Sequence, residues 1–173
     1  MIFWRMSPSR SLSIAIFLGV ALLSAGGAGA ATTCAMDRAV FFGKDGAVSF
    51  DVEIADDDAE RAQGLMFRKK LPAHHGMLFI YDTPREVAFW MRNTLIPLDL
   101  IFLDEHGVVR HIHQNARPLD ETPIPGAVAQ DPDPERLMVL EILGGDAERL
   151  GIQPGQSMAH PRLDQTKAER PCN

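Results

Sequence analysis

The chain lacks the signatures on which most assignments of activity rest. Its 173 residues contain no glycine-rich phosphate loop, no Walker sequence, no G-x-S-x-G elbow and no H-E-x-x-H helix. That argues against the common nucleotide-binding, serine-hydrolase and zinc-protease classes. Clustered positive charge is scarce as well. The largest basic run is Arg68-Lys69-Lys70, in a chain of net charge −6. A surface of that sign repels phosphate backbones and anionic lipids, so neither nucleic acid nor, for the mature protein, a membrane is an expected partner. No cofactor is expected either. Cysteine is almost absent: Cys34 and Cys172 are the only two, and both lie near the ends of the mature chain. Neither sits in a motif or beside a placed histidine, which disfavours a thiol enzyme. They are natural disulfide partners in an oxidising compartment, and the alternative is two unpaired thiols on frayed termini.

What is present begins with a leader. Arg5 and Arg10 precede the apolar stretch Leu12 to Leu23, and small residues follow, ending in Ala28-Gly29-Ala30. The stretch is too short to span a bilayer comfortably, and the A-x-A pattern offers a cleavage site before Ala31. Residues 1–30 therefore read as a secretory signal peptide, and residues 31–173 as one exported globular domain, periplasmic or extracellular. Cleavage removes two arginines and no acids, so the mature chain is more acidic still.

Apolar residues at Val48, Phe50, Val52 and Ile54 alternate with Ser49, Asp51 and Glu53, the period-two signature of a half-buried strand. Asp57-Asp58-Ala59-Glu60 then forms a D-x-x-E capping box for a short helix that Gly64 can close in a left-handed conformation. A calcium loop at Asp56-Asp57-Asp58 would need spaced oxygen ligands and a closing glutamate that are missing. Runs at 76–81, 87–91 and 98–103 read as buried strands. The last turns at Asp104-Glu105-His106-Gly107 into a hairpin partner, 108–113. Residues 114–134 carry five prolines and read as a long exposed loop of the kind that often serves function. Leu137–Leu143 is a further buried strand, Asp146 can cap one helical turn, and a last strand lies at 156–158. About seven strands, little helix and no βαβ repeat give a mostly β, α+β class: one barrel-like mixed sheet with one or two short helices.

Polar residues inside apolar runs mark candidate sites. A buried carboxylate or guanidinium costs several kcal/mol unless paired or hydrogen-bonded, so Arg92, Asn93 and Asp99 should belong to a polar network or a ligand site. Asp99 and Glu141 both lie in aliphatic strands. Facing one cleft, they could serve as the acid/base or nucleophile pair of an envelope hydrolase; otherwise each is neutralised by Arg61, Arg68 or Arg92, or faces solvent. Arg92 offers a fork for anions, Asn93 tolerates a left-handed turn, and Trp90 offers a stacking face or fills the core. His111 and His113 share a strand face at a spacing some metal sites use, without a third ligand. Met66, Met77, Met91, Met138 and Met158 could bind copper(I) but also suit core filling. The preferred reading is a non-catalytic envelope domain that binds a small ligand or an envelope protein. Its rim would comprise Arg61, Arg68, Trp90, Arg92, Asn93 and the proline-rich segment, with Asp99 among the ligand-binding candidates. Hydrolysis and copper or zinc handling are the alternatives.

Taken together, Arg61-x-x-Gly64-Leu65-Met66-x-Arg68, Gly76-Met77-Leu78-Phe79, Phe89-Trp90-Met91-Arg92-Asn93-Thr94, Pro97-Leu98-Asp99 and Leu140-Glu141 followed by Gly144 resemble the domain of unknown function 192 family. The resemblance covers roughly residues 38–160. It implies a compact β-rich domain, frequently exported in bacteria, and lends no catalytic residues. The cysteines lie outside it, so it is silent on their pairing.

Overall fold

A computed structural model describes residues 34–44 and 46–172. The leader expected over residues 1–30 and its cleavage site fall outside the described residues. The elements run β1 (Arg38–Gly43), β2 (Gly46–Ala55), α1 (Asp58–Gln63), β3 (His75–Arg85), β4 (Ala88–Phe89), β5 (Leu98–Leu103), β6 (Val109–Ala116), β7 (Ile124–Pro125), β8 (Arg136–Leu143), α2 (Asp146–Arg149) and β9 (Ser157–Ala159). Seven strands form one mixed sheet in the order β6-β5-β8-β3-β2-β1-β9. Among the described residues only β2 and β3 pair in parallel, joined by the crossover that carries α1.

The sheet curls into a half-barrel, as the strand content leads one to expect. Its two edges meet at one end, where Val108 bridges Ser157 and Val109 exchanges backbone hydrogen bonds of 2.8 Å with Gln156 and Gly155. The inner face buries Phe41, Phe50, Leu78, Ile101, Leu140, Ile142 and Met158. A second apolar layer, on the outer face of β3, β5 and β8, holds Met77, Phe79, Leu98, Leu100, Phe102 and Val139, roofed by Leu65, Leu71, Met91, Ile96 and Ile124 from the connecting segments. The central strands are therefore covered on both sides. That is why Leu98–Leu103 is buried at every position without alternation, whereas β2, open to water on one face, alternates cleanly.

Local chemistry sets the helices. Asp57 is the N-cap of α1 and its carboxylate accepts from the Glu60 amide at 2.8 Å, while the Glu60 side chain reaches back to the amide of Asp56. Gly64 closes the helix at φ 49°. The α2 turn departs from expectation: Gly145, at φ 86°, takes the N-cap position, and Asp146 pairs instead with Arg149.

One further expectation needs correction and two others are added to. β1 went unforeseen, because Ala39, Val40 and Phe41 are all buried and leave no alternation to read. The 87–91 run does not enter the main sheet: only Ala88 and Phe89 form a strand, paired with Pro125 and Ile124, and Trp90 is 48% exposed. The segment 114–134 is for the most part the exposed, irregular stretch expected, but it is pinned at several points. β6 continues to Ala116, β7 pairs with β4, and the wholly buried Arg136 donates to the carbonyls of Gly126, Asp133 and Glu135 while pairing with Asp131. Pro125 is accommodated in β7 because an isolated pairing such as Ala88 with Pro125 does not need the amide it lacks.

Cys34 and Cys172 form a disulfide with Cα atoms 5.6 Å apart, spanning 138 positions of sequence. In the loop-entropy picture, a bridge closing so long a loop stabilises by about 5 kcal/mol.

Candidate functional site

Glu141 lies midway along β8, directly across from Met77 on β3 and Leu100 on β5. Its side chain therefore joins the outer layer, where its row neighbours are apolar. The residue is 5% exposed. Among the described residues no group donates a hydrogen bond to its carboxyl and no cation pairs with it. Desolvation, unopposed, pushes the carboxyl up to about 8.

This carboxyl borders a cleft of about 310 Å³ lined by α1 and the turn after it, by Phe79 and Tyr81 of β3, by Ala88, Phe89 and Trp90, and by Thr94 and Pro123. Gly64 leaves space beside the acid: a Cβ at that position would stand 3.9 Å from Glu141 Oε2 and 3.1 Å from the ring of Phe79. Its positive φ also excludes an unstrained side chain there. Phe89 meets Phe79 and Phe102 edge to face, at 5.1 and 5.9 Å between centroids, and so fixes the aromatic wall. The phenol of Tyr81 is held above its ordinary value, mainly by burial; Arg61 and Arg85 oppose that shift and the charge of Glu141 adds to it.

The sequence-derived candidates divide. Arg61 lines the cleft but is committed: it donates to the carbonyls of Asp56 and Ile80 at 2.6 and 2.8 Å, pairs with Asp58, and lies 5.3 Å over the ring of Tyr81. Trp90 forms part of the wall, and Arg92, exposed at the rim, lies 5.6 Å over its ring. Asn93 takes the left-handed conformation (φ 56°), its carbonyl accepts from the amide of Phe67 at 2.8 Å, and so it joins the two segments that frame the mouth. Arg68 does not reach the cleft: it makes a two-pronged pair with Glu53 at 2.5 and 2.6 Å, and that pair holds the guanidinium above its usual value.

Asp99 stands elsewhere. On β5 it faces Ile142 across the ladder, so its side chain enters the inner face, opposite to that of Glu141. There its carboxylate accepts from the amides of Asn115 at 2.8 Å, Gly145 at 3.0 Å and Ala147 at 2.8 Å. It is the side chain that holds the start of α2, the role expected of Asp146. The two carboxylates thus form no pair, and a hydrolytic mechanism that needs both at one bond has no geometry here.

His111 and His113 lie on the edge strand β6, opposite Phe102 and Leu100. His111 stacks on Phe102 at 5.7 Å, and burial, seconded by the neighbouring His113, keeps it below the ordinary imidazole value. Among the described residues no three His, Cys, Asp or Glu side chains gather at one point. The methionines split between layers: Met77 and Met91 pack in the outer, Met138 and Met158 in the inner. Met66 borders the cleft, where its sulfur accepts a weak bond from Asn93.

Gly64, Tyr81 and Thr94 escaped sequence reasoning as lining residues. For Gly64 a signal existed, since a glycine required by a helix end can also keep a cavity open. For Tyr81 and Thr94 none did.

Among characterised proteins no match is found. Two solved structures are similar to this chain. One, from Sinorhizobium meliloti 1021 and described as a candidate transcription regulator, is 36% identical, with a TM-score of 0.65, and the match covers 73% of this chain and 95% of that one. The other, a protein of unknown function from Novosphingobium aromaticivorans DSM 12444, is 42% identical, with a TM-score of 0.64, and the match covers 76% and 93%. Residues 40–160, which hold the curled sheet, the cleft and both carboxylates, match DUF192, described as an uncharacterized ACR, and the chain belongs to that family.

Proposed function

We propose that this is an exported domain that binds a small ligand, without transforming it, in the cleft above Glu141. One observation carries the reading: an unpaired carboxyl, almost wholly withdrawn from water, at the base of a cavity walled by aromatic rings. Burial disfavours the charge on this group, and a ligand that offers hydrogen-bond donors stabilises it. The hydrolytic alternative lacks its second carboxylate in this cleft. The cystine between Cys34 and Cys172 supports an oxidising destination, and the leader read in residues 1–30 supports export.

Trp90 is the only tryptophan beyond residue 30, so its fluorescence reports on the cleft directly. Titration with periplasm-type metabolites and cell-wall fragments should give a saturable change for at least one compound, abolished in Glu141→Gln. Silence across the set, with Glu141→Gln differing only in stability, would remove the reading. Mass analysis of protein recovered from the periplasm and medium tests export separately: a mature N-terminus at Ala31 is expected, and an intact residue 1 counts against it.

A further inference from the structure

Resting on the cleft as a ligand site, we propose that its ligand carries a protonated amine that docks on the carboxylate of Glu141. Three observations lead there. First, no protein group among the described residues donates to Glu141, and an ammonium group supplies three donors on a single small head. A ligand carboxylate could accept only the single O–H of the neutral acid.

Second, the protein provides no cation of its own to this carboxyl. Arg61, the one guanidinium in the lining, spends its donors on Asp58 and on the carbonyls of Asp56 and Ile80. The acid feels burial and nothing else.

Third, the walls are Tyr81, Phe89 and Trp90, whose ring faces attract positive charge. Two of these rings already do so within the protein, since Arg61 lies over Tyr81 and Arg92 over Trp90. Among the lining side chains, Arg61, Gln63, Tyr81, Thr94 and Glu141 are the polar ones, too few for a polyhydroxylated ligand that needs a partner at every hydroxyl.

The charge balance is simple. Below about pH 8 the empty site holds a neutral carboxylic acid. The ammonium binds the carboxylate, so the acid's proton leaves to solvent as the ligand enters. The other titratable or charged groups of the lining are Arg61 and Tyr81. Arg61 keeps its charge, and Tyr81, pushed above its ordinary value, stays neutral through pH 9.

The test is calorimetric titration of the purified protein with three probes of closely matched shape: 2-phenylethylammonium, 2-phenylethanol and phenylacetate. The ammonium should bind most tightly, with an affinity that rises roughly 50- to 100-fold from pH 6 to pH 9 as the ionisation of Glu141 ceases to oppose binding. At pH 7, comparison of buffers with different ionisation enthalpies should show close to one proton released per ligand bound. Glu141→Gln should lose both the preference and the pH dependence. An alcohol or carboxylate probe that binds as tightly as the ammonium, or an ammonium affinity indifferent to pH and to Glu141→Gln, overturns the proposal and leaves the cleft as a binding site. Failure of the ammonium to bind overturns the amine proposal, whereas the binding reading falls only with silence in the Trp90 titration.

Discussion

Asp99 and Glu141 sit on adjacent strands, one ladder position out of step, and both are hidden from solvent, at 0% and 5% exposure. The inner one receives three backbone amides and anchors a helix start. The outer one receives nothing and opens onto a cleft. Burial is common to both, so what separates them is hydrogen bonding: the backbone satisfies one acid and leaves the other without a partner among the described residues.

The comparison can be broken at several points. The largest effect is expected for Asp99→Ala, which strands three amides in an apolar layer; a loss of about 3–5 kcal/mol should appear in urea unfolding at pH 7. A loss under about 1 kcal/mol would mean that the inner carboxylate is not holding α2.

Glu141→Gln should move stability the other way. The folded pKa lies above the unfolded one, so the protein binds the extra proton when folded, and stability falls as pH rises from about 4.5 to about 8. The variant should therefore match the parent at pH 4 and exceed it by about 3 kcal/mol at pH 7. Equal stability at both pH values would show that Glu141 has a partner after all. Arg61→Met comes next, at a cost of about 2 kcal/mol, because two carbonyls and Asp58 lose their donor. Arg92→Ala sharpens the contrast from the opposite side. It rests only on the exposed face of Trp90, and thermal unfolding should shift by less than about 0.5 kcal/mol.

Much of the scaffold was legible because its rules are local. Alternation gave β2, the Asp57 box gave α1, and the paired terminal cysteines gave the bridge. Glu141 was legible as an acid out of place. Its face was not, because strands covered on both sides have no alternation, and without alternation a one-residue difference in register is invisible. The grouping of Asp99 with Glu141 failed for that reason. The cleft itself joins residues from positions 61 to 141, and only the curl of the sheet and the roof of connecting segments bring them together.

The cystine has one more consequence. With residues 34 and 172 joined, the described domain is covalently a ring, and one backbone cut on its surface produces no separate piece. A protease that clips the exposed stretch Val128–Gln130 should leave a single species on a non-reducing gel and two fragments once thiol is added. Such a molecule can be nicked and still hold its strands in place.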